Sequence, residues 1–280
     1  MIKPMLAYKY NPERVDWDDC VYMQPKLDGV RCVIQLNELG EVHAYSRTGK
    51  PWRNISHILK NLKPFFDQHK DAILDGELYN HDLRDNFEKI ISLVRKQKPT
   101  DEMRLESSKL VQFHCYDYVH TDDNYELRMN NLVTSDMYSY CVKFVPTHTI
   151  FKKDDAEVYH NRNLAEGYEG SILRLNQPYQ CKRSYNLQKF KNFHDKEATI
   201  IGYVEGKGKR TGTLGKFIMQ DDDGNQFGCP PGKGYNYKDL TKILNNISDY
   251  IGNRATFTYF ERTQANSYRH PMFKVVRDYE

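Results

Sequence analysis

The stretch that decides the fold is Gln24-Pro25-Lys26-Leu27-Asp28-Gly29-Val30-Arg31, which places a lysine between two strand-like segments. The residues that follow, Val30–Leu36, are rich in β-branched side chains and predict a strand. A lysine becomes a nucleophile only when burial or nearby cations disfavour its charged form, and Arg31 could do this while binding a phosphate. The alternative is a plain β-hairpin with an Asp-Gly turn. We therefore treat Lys26 as a candidate nucleophile at a sheet edge, with the Asp28 carboxylate and the Arg31 guanidinium close to it in sequence.

Two further elements lie downstream of this stretch. Ser46-Arg47-Thr48-Gly49-Lys50 is a polar, basic turn, a type that is common in proteins of every kind. Leu74-Asp75-Gly76-Glu77-Leu78-Tyr79 places two acids inside an apolar strand, which costs free energy unless the carboxylates have partners. Glu77 is therefore a candidate for binding a sugar hydroxyl or a metal, although a bulge near an exposed edge would also explain it.

Three more elements follow in the next part of the chain. Phe113-His114-Cys115-Tyr116-Asp117-Tyr118 reads as a strand that ends in an acid, and Phe113 is more often a core residue than a base-stacking one. Glu166-Gly167-Tyr168-Glu169-Gly170-Ser171-Ile172-Leu173-Arg174 sets a carboxylate between glycines, a surrounding that suits Mg²⁺. In Lys189-Phe190-Lys191 the two ammonium groups would share one strand face, which suits a phosphate between them or a solvated edge.

Strand patterns dominate the chain, with helical spacing between them. The predicted strands are Val30–Leu36, Val42–Ser46, Ala72–Tyr79, Lys109–Val119 and Val142–Phe151, and the predicted helices are Phe87–Val94, Tyr125–Tyr140 and Asp154–Ala165. The last 85 residues or so read as short strands with one helix: Ala198–Val204, Lys216–Gln220, a strand after the Asp223-Gly224 turn, helix Tyr237–Ile247, Arg254–Phe260 and Met272–Val276. This order suits a small OB-type barrel. We place the domain boundary after residue 195.

Composition excludes several classes of protein. The 280 residues carry 41 Lys and Arg against 38 Asp and Glu, a formal charge of +3. That excess is too small to indicate a nucleic-acid partner by itself, but all of it falls in residues 196–280, where 13 cations face 10 acids. No apolar run is long enough for a membrane span, and no secretory signal follows Met1, so we expect a cytoplasmic protein. Six scattered cysteines without a CxxC pair argue against a zinc site or a disulfide framework.

The six charged elements, in this order, resemble the motif series of covalent nucleotidyltransferases, and most closely the small viral and phage form of the ATP-dependent DNA ligases. The Pro4-Met5-Leu6-Ala7 opening is similar to that family as well. The resemblance covers nearly the whole chain. It implies an α+β fold: a nucleotidyltransferase domain of antiparallel sheets flanked by helices, residues 1–195, followed by a small all-β OB-fold barrel, residues 196–280.

The resemblance also implies a reaction and a set of roles. Lys26 would attack the α-phosphorus of ATP to form a lysyl-AMP, and the AMP would pass to the 5′-phosphate of nicked double-stranded DNA before the nick is sealed. The implied nucleotide contacts come from Gln24, Pro25, Lys26, Arg31, Arg47, Glu77, Phe113, Glu169, Lys189 and Lys191, with Phe113 stacking on adenine and Glu77 holding the ribose. Mg²⁺ would be bound by Glu169 and Glu77, with catalysis by Lys26, Asp28, Lys189 and Lys191.

DNA contacts are expected from two regions. The first comprises Arg31, Ser46, Arg47 and Lys50; the second is Gly206–Lys216, a glycine-rich loop with Lys207, Lys209 and Arg210 that reads as flexible and suits backbone contact. A basic family motif near the C-terminus has no clear counterpart, and Arg269, Lys274 and Arg277 stay open as candidates for contacting pyrophosphate. We expect a monomer.

Three alternatives to DNA nick sealing can be compared with the sequence. An RNA ligase or a GTP-dependent RNA-capping enzyme would use the same lysine chemistry, but capping enzymes typically have a small hydroxylated residue where Leu27 stands. A catalytically silent nucleic-acid-binding module would leave the two acids of the Asp75-Gly76-Glu77 strand unexplained. A P-loop kinase or NTPase is excluded because the chain has no GxxxxGK[ST] sequence.

Overall fold

The chain divides into two compact units, Met1–Lys191 and Asn192–Glu280. The computed structural model of the chain describes residues 2–232, 234–263 and 266–277. The boundary expected after residue 195 stays a prediction; it would fall inside the first strand of the second unit, β11 (His194–Glu205).

The first unit contains two five-stranded sheets. Sheet one has the order β1-β10-β9-β2-β8. Its strands are β1 (Leu6–Lys9), β2 (Val21–Pro25), β8 (His148–Ile150), β9 (Ser171–Leu175) and β10 (Arg183–Phe190). Strands β1 and β10 run parallel, and the other neighbours are antiparallel. Sheet one is therefore mixed rather than purely antiparallel, with β1 at one edge.

Sheet two has the order β4-β3-β5-β6-β7. Its strands are β3 (Val30–Leu36), β4 (Val42–Tyr45), β5 (Ile73–Tyr79), β6 (Gln112–Tyr118) and β7 (Val142–Phe144). Only β6 and β7 pair in parallel. One face of this sheet packs into the largest apolar core of the molecule, where Ile34, Leu74 and Phe113 are fully buried.

The connection Lys26–Gly29 joins the two sheets. Strand β2 ends at Pro25 in sheet one, and β3 begins at Val30 in sheet two. The hairpin alternative for this stretch is therefore wrong, because β2 pairs with β8 and β9 rather than with β3. The lysine consequently lies where the chain passes from one sheet to the other.

Six α-helices occur in the described residues: α1 (Ser56–Gln68), α2 (Phe87–Val94), α3 (Asp101–Leu110), α4 (Tyr125–Val133), α5 (Lys153–Ala165) and α6 (Tyr237–Asn245). Helix α1 buries Ile58, Leu62 and Phe66 in the core of sheet two, at the i, i+4 spacing of one helix face. Short 3₁₀ turns cover Pro12–Arg14, His81–Leu83, Gly208–Arg210 and Ile247–Asp249. Within the described part of the chain, no helix combines the length and the apolarity that a bilayer crossing requires.

The second unit is built on a five-stranded antiparallel sheet of order β13-β12-β11-β14-β17. Its further strands are β12 (Leu214–Gln220), β13 (Gln226–Cys229), β14 (Arg254–Tyr259) and β17 (Met272–Val276), with a small hairpin of β15 (Glu261–Arg262) and β16 (Tyr268–Arg269). The short strands and the single helix agree with the small OB-type barrel that the sequence predicts, without complete closure of the sheet in the part of the chain that the structure describes. Among the described residues the edge strands β13 and β17 do not pair, and a single bridge between Pro231 and Phe273 connects the two edges.

The predicted elements differ from the observed ones mainly at their ends. Strand Val30–Leu36 and helix Phe87–Val94 are confirmed at both ends. The predicted strand 142–151 is wrong as one element: it forms β7 in sheet two and β8 in sheet one, with Pro146 between them. Proline cannot donate to a sheet ladder, which explains the interruption. Helices α1 and α3 were not predicted, and α3 takes the first residues of the predicted strand 109–119.

Candidate active site

A cleft of about 520 Å³ in the first unit is lined by residues of both sheets. Its wall contains eight cationic side chains and one carboxylate, that of Glu77. The cations are Lys26, Arg31, Arg47, Arg95, Arg174, Arg183, Lys189 and Lys191. Such an excess of one charge in a cleft favours an anionic ligand. The sequence pointed to five of these cations as site residues and did not indicate Arg95, Arg174 or Arg183.

Lys26 is held at the end of the β2–β9 ladder. Its amide nitrogen donates to the Gly170 carbonyl (2.9 Å), and its carbonyl accepts from the Glu169 amide (3.2 Å). The two oxygens of the buried Glu169 carboxylate pair with the ammonium groups of Lys26 and Lys191. This arrangement places three predicted site residues together, and it makes Glu169 the direct neighbour of the candidate nucleophile.

Gly29 allows strand β5 to approach the Lys26 segment closely. A Cβ at position 29 would overlap the carbonyl oxygen of Leu78 and would lie 2.7 Å from the Cγ of Glu77. Only glycine fits between these atoms. Gly29 suggested a turn in the sequence, but glycine is required here because strand β5 passes close to its backbone. The same close approach brings Glu77 to the cleft.

Glu77 is the carboxylate of the cleft wall, and burial raises its pKa to about 7, although Lys26 and Arg31 oppose this shift. Asp75 and Asp28 add to the increase by like-charge repulsion. One carboxylate oxygen lies 3.4 Å from the Tyr116 hydroxyl. A carboxyl group that titrates near neutral pH beside several cations is typical of a functional site.

Arg31 is held by the second acid of the same strand. Its Nε donates to Asp75 (2.6 Å), a second nitrogen pairs with the other Asp75 oxygen, and the same nitrogen donates to the Met5 carbonyl (3.0 Å). Tyr179 also donates to Asp75 (2.7 Å). The buried acid predicted to need partners therefore has them. Arg31 lines the cleft, but its Nε and one of its two terminal nitrogens are already hydrogen-bonded within the protein.

A buried network of ion pairs and hydrogen bonds holds two residues of the cleft wall, Gln24 and Arg174. The fully buried Asp117 accepts from Arg128 (2.7 Å) and from Arg174 (2.6 Å). Arg174 also donates to the Gln24 side-chain oxygen (2.8 Å), and the Gln24 amide donates to Tyr125 and Thr147. Gln24 lines the cleft, but its polar atoms are used within the protein. Breaking such a buried pair is costly, so this network fixes the wall that Arg174 contributes.

Phe113, which the resemblance suggests as the base-stacking residue, is not among the residues that line the cleft. Phe113 is fully buried in the core of sheet two, and its ring packs against Gly76. The aromatic ring that lines the cleft is that of Tyr116, between the guanidinium groups of Arg31 (5.2 Å) and Arg174 (5.1 Å). Tyr116 is the extra residue of a bulge, since Asp75 pairs with Asp117 and Gly76 with Cys115. Phe113 and Tyr116 lie three residues apart, so alternation along the strand places their side chains on opposite faces of the sheet.

The basic turn after β4 reaches the cleft through Ser46 and Arg47, whereas Lys50 is exposed and outside the described cleft wall. The turn is closed by bonds from the Ser46 amide to the Lys50 carbonyl (2.8 Å) and from the Lys50 amide to the Ser46 hydroxyl (3.0 Å). Trp52 follows the turn and lines the cleft as well. Pro25 and Lys189 are also in the wall; Asp28 is half-buried and is not part of it.

The candidates of the second unit lie on its surface. The expected flexible loop is a compact turn: the Gly206 amide donates to the Thr213 carbonyl (2.8 Å), and the Gly212 amide donates to Glu205 (2.7 Å). This turn exposes Lys207, Lys209 and Arg210. Each of the three candidates for contacting pyrophosphate forms an ion pair: Arg269 with Glu261, Lys274 with Asp195 and Arg277 with Glu197. Ion pairing therefore does not show which of them contacts pyrophosphate.

A family model for the ATP-dependent DNA ligase domain matches residues 4–191, which is the first unit almost entirely. The chain belongs to the ATP-dependent DNA ligase family. A second model, for a DNA ligase OB-like domain, matches residues 205–277 of this ligase chain. The ligase family thus accounts for both units, and its first domain contains every residue of the cleft wall.

Relatives of this ligase-family chain are distant in sequence. A DNA ligase of African swine fever virus is 29% identical over 76% of the chain and 52% of its own length. The chain therefore spans about half the length of the curated viral relatives it matches. A Haemophilus influenzae DNA ligase is 24% identical over 88% of the chain and 84% of its own length. A Chlorella virus DNA ligase-adenylate structure is 26% identical, with a TM-score of 0.51 over 100% of this chain and 99% of that one. A Lig E DNA ligase structure has the same fold, with a TM-score of 0.81 at 23% identity over 99% of this chain and 100% of that one.

Proposed function

We propose that this protein seals nicks in double-stranded DNA, using ATP and a covalent lysyl-AMP intermediate on Lys26. The observation that carries the proposal is the cleft in which Lys26 lies among seven other cationic side chains, with Glu77 in the wall and Glu169 paired to the Lys26 ammonium group. Phosphoryl transfer depends on positioning and on positive charge, and this wall offers both. Membership of the ATP-dependent DNA ligase family supports the same reaction.

In the first step, the Lys26 nitrogen forms a bond to the α-phosphorus of ATP. The bond from that phosphorus to the bridging oxygen breaks, and pyrophosphate leaves with the electron pair. The attacking ammonium must first lose a proton, and the Glu169 carboxylate is its direct neighbour. Lys191, on the other oxygen of Glu169, and Lys189 in the cleft wall are placed to neutralise the charge of the α-phosphate.

The nucleoside part would be bound by the opposite wall. Tyr116 takes the stacking role that the sequence suggested for Phe113, because its ring lines the cleft. Ile172, also in the wall, offers an apolar surface for the base. Glu77 is placed to accept hydrogen bonds from ribose hydroxyls, which would stabilise its ionised form against the effect of burial.

We propose that Mg²⁺ enters with the triphosphate. The described residues contain no cluster of three His, Cys, Asp or Glu side chains that would hold a resident metal. Mg²⁺ commonly binds through one or two carboxylates together with substrate phosphates and water, and Glu77 and Glu169 are the carboxylates near Lys26. The ion would supply charge neutralisation on the phosphates.

In the later steps, a 5′-phosphate oxygen at the nick displaces Lys26 from the adenylate, and the neighbouring 3′-hydroxyl oxygen then displaces AMP to form the phosphodiester. Arg47 and Ser46 at the cleft, and the exposed Lys50 beside them, are placed to contact the DNA phosphates. The exposed cations Lys207, Lys209 and Arg210 of the second unit suit sequence-independent backbone contact.

The direct test is a gel assay on a singly nicked duplex with ATP and Mg²⁺, run beside a Lys26→Ala variant. We expect sealing by the native protein and none by the variant. GTP in place of ATP, and an RNA nick in place of a DNA nick, test the capping-enzyme and RNA-ligase alternatives. Sealing that requires GTP or an RNA substrate would overturn the proposal. Size-exclusion chromatography on the same preparation tests the expected monomer.

A further inference from the structure

The edge of sheet one carries a stacked pair of tyrosines on the protein surface. The rings of Tyr8 on β1 and Tyr185 on β10 lie 4.1 Å apart at an interplanar angle of 11°. The two residues are 37% and 36% exposed. Large aromatic side chains that stay exposed together, with charged neighbours, are typical of a binding surface rather than of a core.

A guanidinium group lies over each of these rings. The Arg183 carbon Cζ is 5.7 Å from the centre of the Tyr8 ring, and that of Arg14 is 5.4 Å from the centre of the Tyr185 ring. Both arginines are exposed, and within the described residues neither forms an ion pair with a carboxylate, although one terminal nitrogen of Arg183 donates to the Ala7 carbonyl. A guanidinium stacked on an aromatic ring is held in one plane, which prepares its fork for a phosphate. We call these four residues the tyrosine–arginine column.

The column exists because the β1–β10 pairing is irregular. Ala7 pairs with Ser184, but the next residue, Tyr8, pairs with Gln188, so that β10 has three extra residues that begin with Tyr185. The bulge brings Tyr185 beside Tyr8. The column also adjoins the cleft, because Ala7 and Arg183 are part of the cleft wall.

We propose that the tyrosine–arginine column binds the phosphodiester backbone of the DNA substrate beside the nucleotide cleft. This inference rests on the proposed function and adds a contact surface to it. The surface offers the guanidinium group of Arg14, the other nitrogens of Arg183 and two phenolic hydroxyls, which are donors that suit phosphate oxygens. If the two tyrosines only covered the edge strand, nothing would require arginines without acidic partners to lie over their rings.

The test compares binding of nicked duplex DNA over a series of salt concentrations. Arg14→Gln should lower the slope of log K against log salt by about 1, because one phosphate contact is lost. The double variant Tyr8→Ala/Tyr185→Ala should weaken binding about tenfold, because both guanidinium groups lose their support. Arg14 is exposed, so its variant tests the inference even if the double variant fails to fold.

The matched control is Tyr138→Ala. Tyr138 is 63% exposed, has the ammonium group of Lys143 4.6 Å from its ring centre, and lies in the first unit outside the cleft wall. This variant should bind DNA as the native protein does. Native affinity and native salt slope in both column variants would overturn the inference, whereas failure of the native protein to seal nicks would overturn the proposed function instead.

Discussion

Replacing Glu77 by glutamine should stabilise the unliganded protein at pH 8 and should not stabilise it at pH 4. Burial raises the pKa of this carboxyl group from its ordinary 4.5 to about 7. At pH 4 the carboxyl group is mostly protonated in both the folded and the unfolded state, so its burial does not lower the unfolding free energy through a buried charge. Above pH 7 the folded state carries a buried carboxylate, so stability falls as the pH rises between these values.

The magnitude follows from the two pKa values. Moving a pKa from 4.5 to about 7 corresponds to about 3 kcal/mol of unfolding free energy, at 1.36 kcal/mol for each tenfold change in proton affinity. Glutamine keeps the size of the side chain and removes the charge. We therefore expect Glu77→Gln to raise the unfolding free energy by up to about 3 kcal/mol at pH 8. The same variant should adenylylate slowly, since the acceptor proposed for the ribose is weakened.

Urea unfolding followed by tryptophan fluorescence measures this effect. Both tryptophans, Trp17 and Trp52, lie in the first unit, so the signal reports on the unit that contains Glu77. Glu38→Gln, at an exposed position, is the control and should change nothing at either pH. An equal gain at both pH values, or a loss at pH 8, would refute the reasoning.

Three further predictions concern other parts of the structure. Gly29→Ala should lower the unfolding free energy by about 1–3 kcal/mol in the same fluorescence assay, because the added Cβ would overlap the Leu78 carbonyl; an unchanged midpoint contradicts the close approach. Asp117→Asn should cost about 3–5 kcal/mol because it leaves two buried guanidinium groups poorly compensated, while Asp67→Asn in an exposed ion pair should have no measurable effect; equal effects would show that the buried network is not stabilising. Replacing the three exposed cations of the 206–213 turn by alanine should weaken DNA binding and spare adenylylation by ATP, and loss of adenylylation would contradict this separation.

The sequence predicted those strands and helices whose residue pattern and flanking breaker residues are clear within a short segment. Strand β3 contains Val30, Val33 and Ile34 between the breakers Gly29 and Asn37, and its observed ends agree with the prediction. The apolar spacing of α2 predicted that helix equally well. Of the two acids in the strand Leu74–Tyr79 that the sequence predicted to need partners, Asp75 is paired with Arg31, whereas Glu77 has the Tyr116 hydroxyl at 3.4 Å.

Tertiary pairing decided what the sequence could not show. The segment between β2 and β3 has the composition of a hairpin turn, but the two strands pair with partners distant in the chain and lie in different sheets. Phe113 and Tyr116 are both aromatic and lie three residues apart, so they face opposite sides of β6, but the sequence does not show which side meets the cleft. The bulge opposite Asp75 and Gly76 shifts the register of the residues that follow. Register shifts of this kind arise from cross-strand contacts, so a pattern of alternating residues does not reveal them.

The most direct measurement for the whole account is intact-protein mass spectrometry after incubation with ATP and Mg²⁺, followed by peptide mapping. We predict the added mass of one AMP on the side chain at position 26, and no addition to the Lys26→Arg variant. An unmodified native protein, or an adenylate attached to a different residue, would contradict the account.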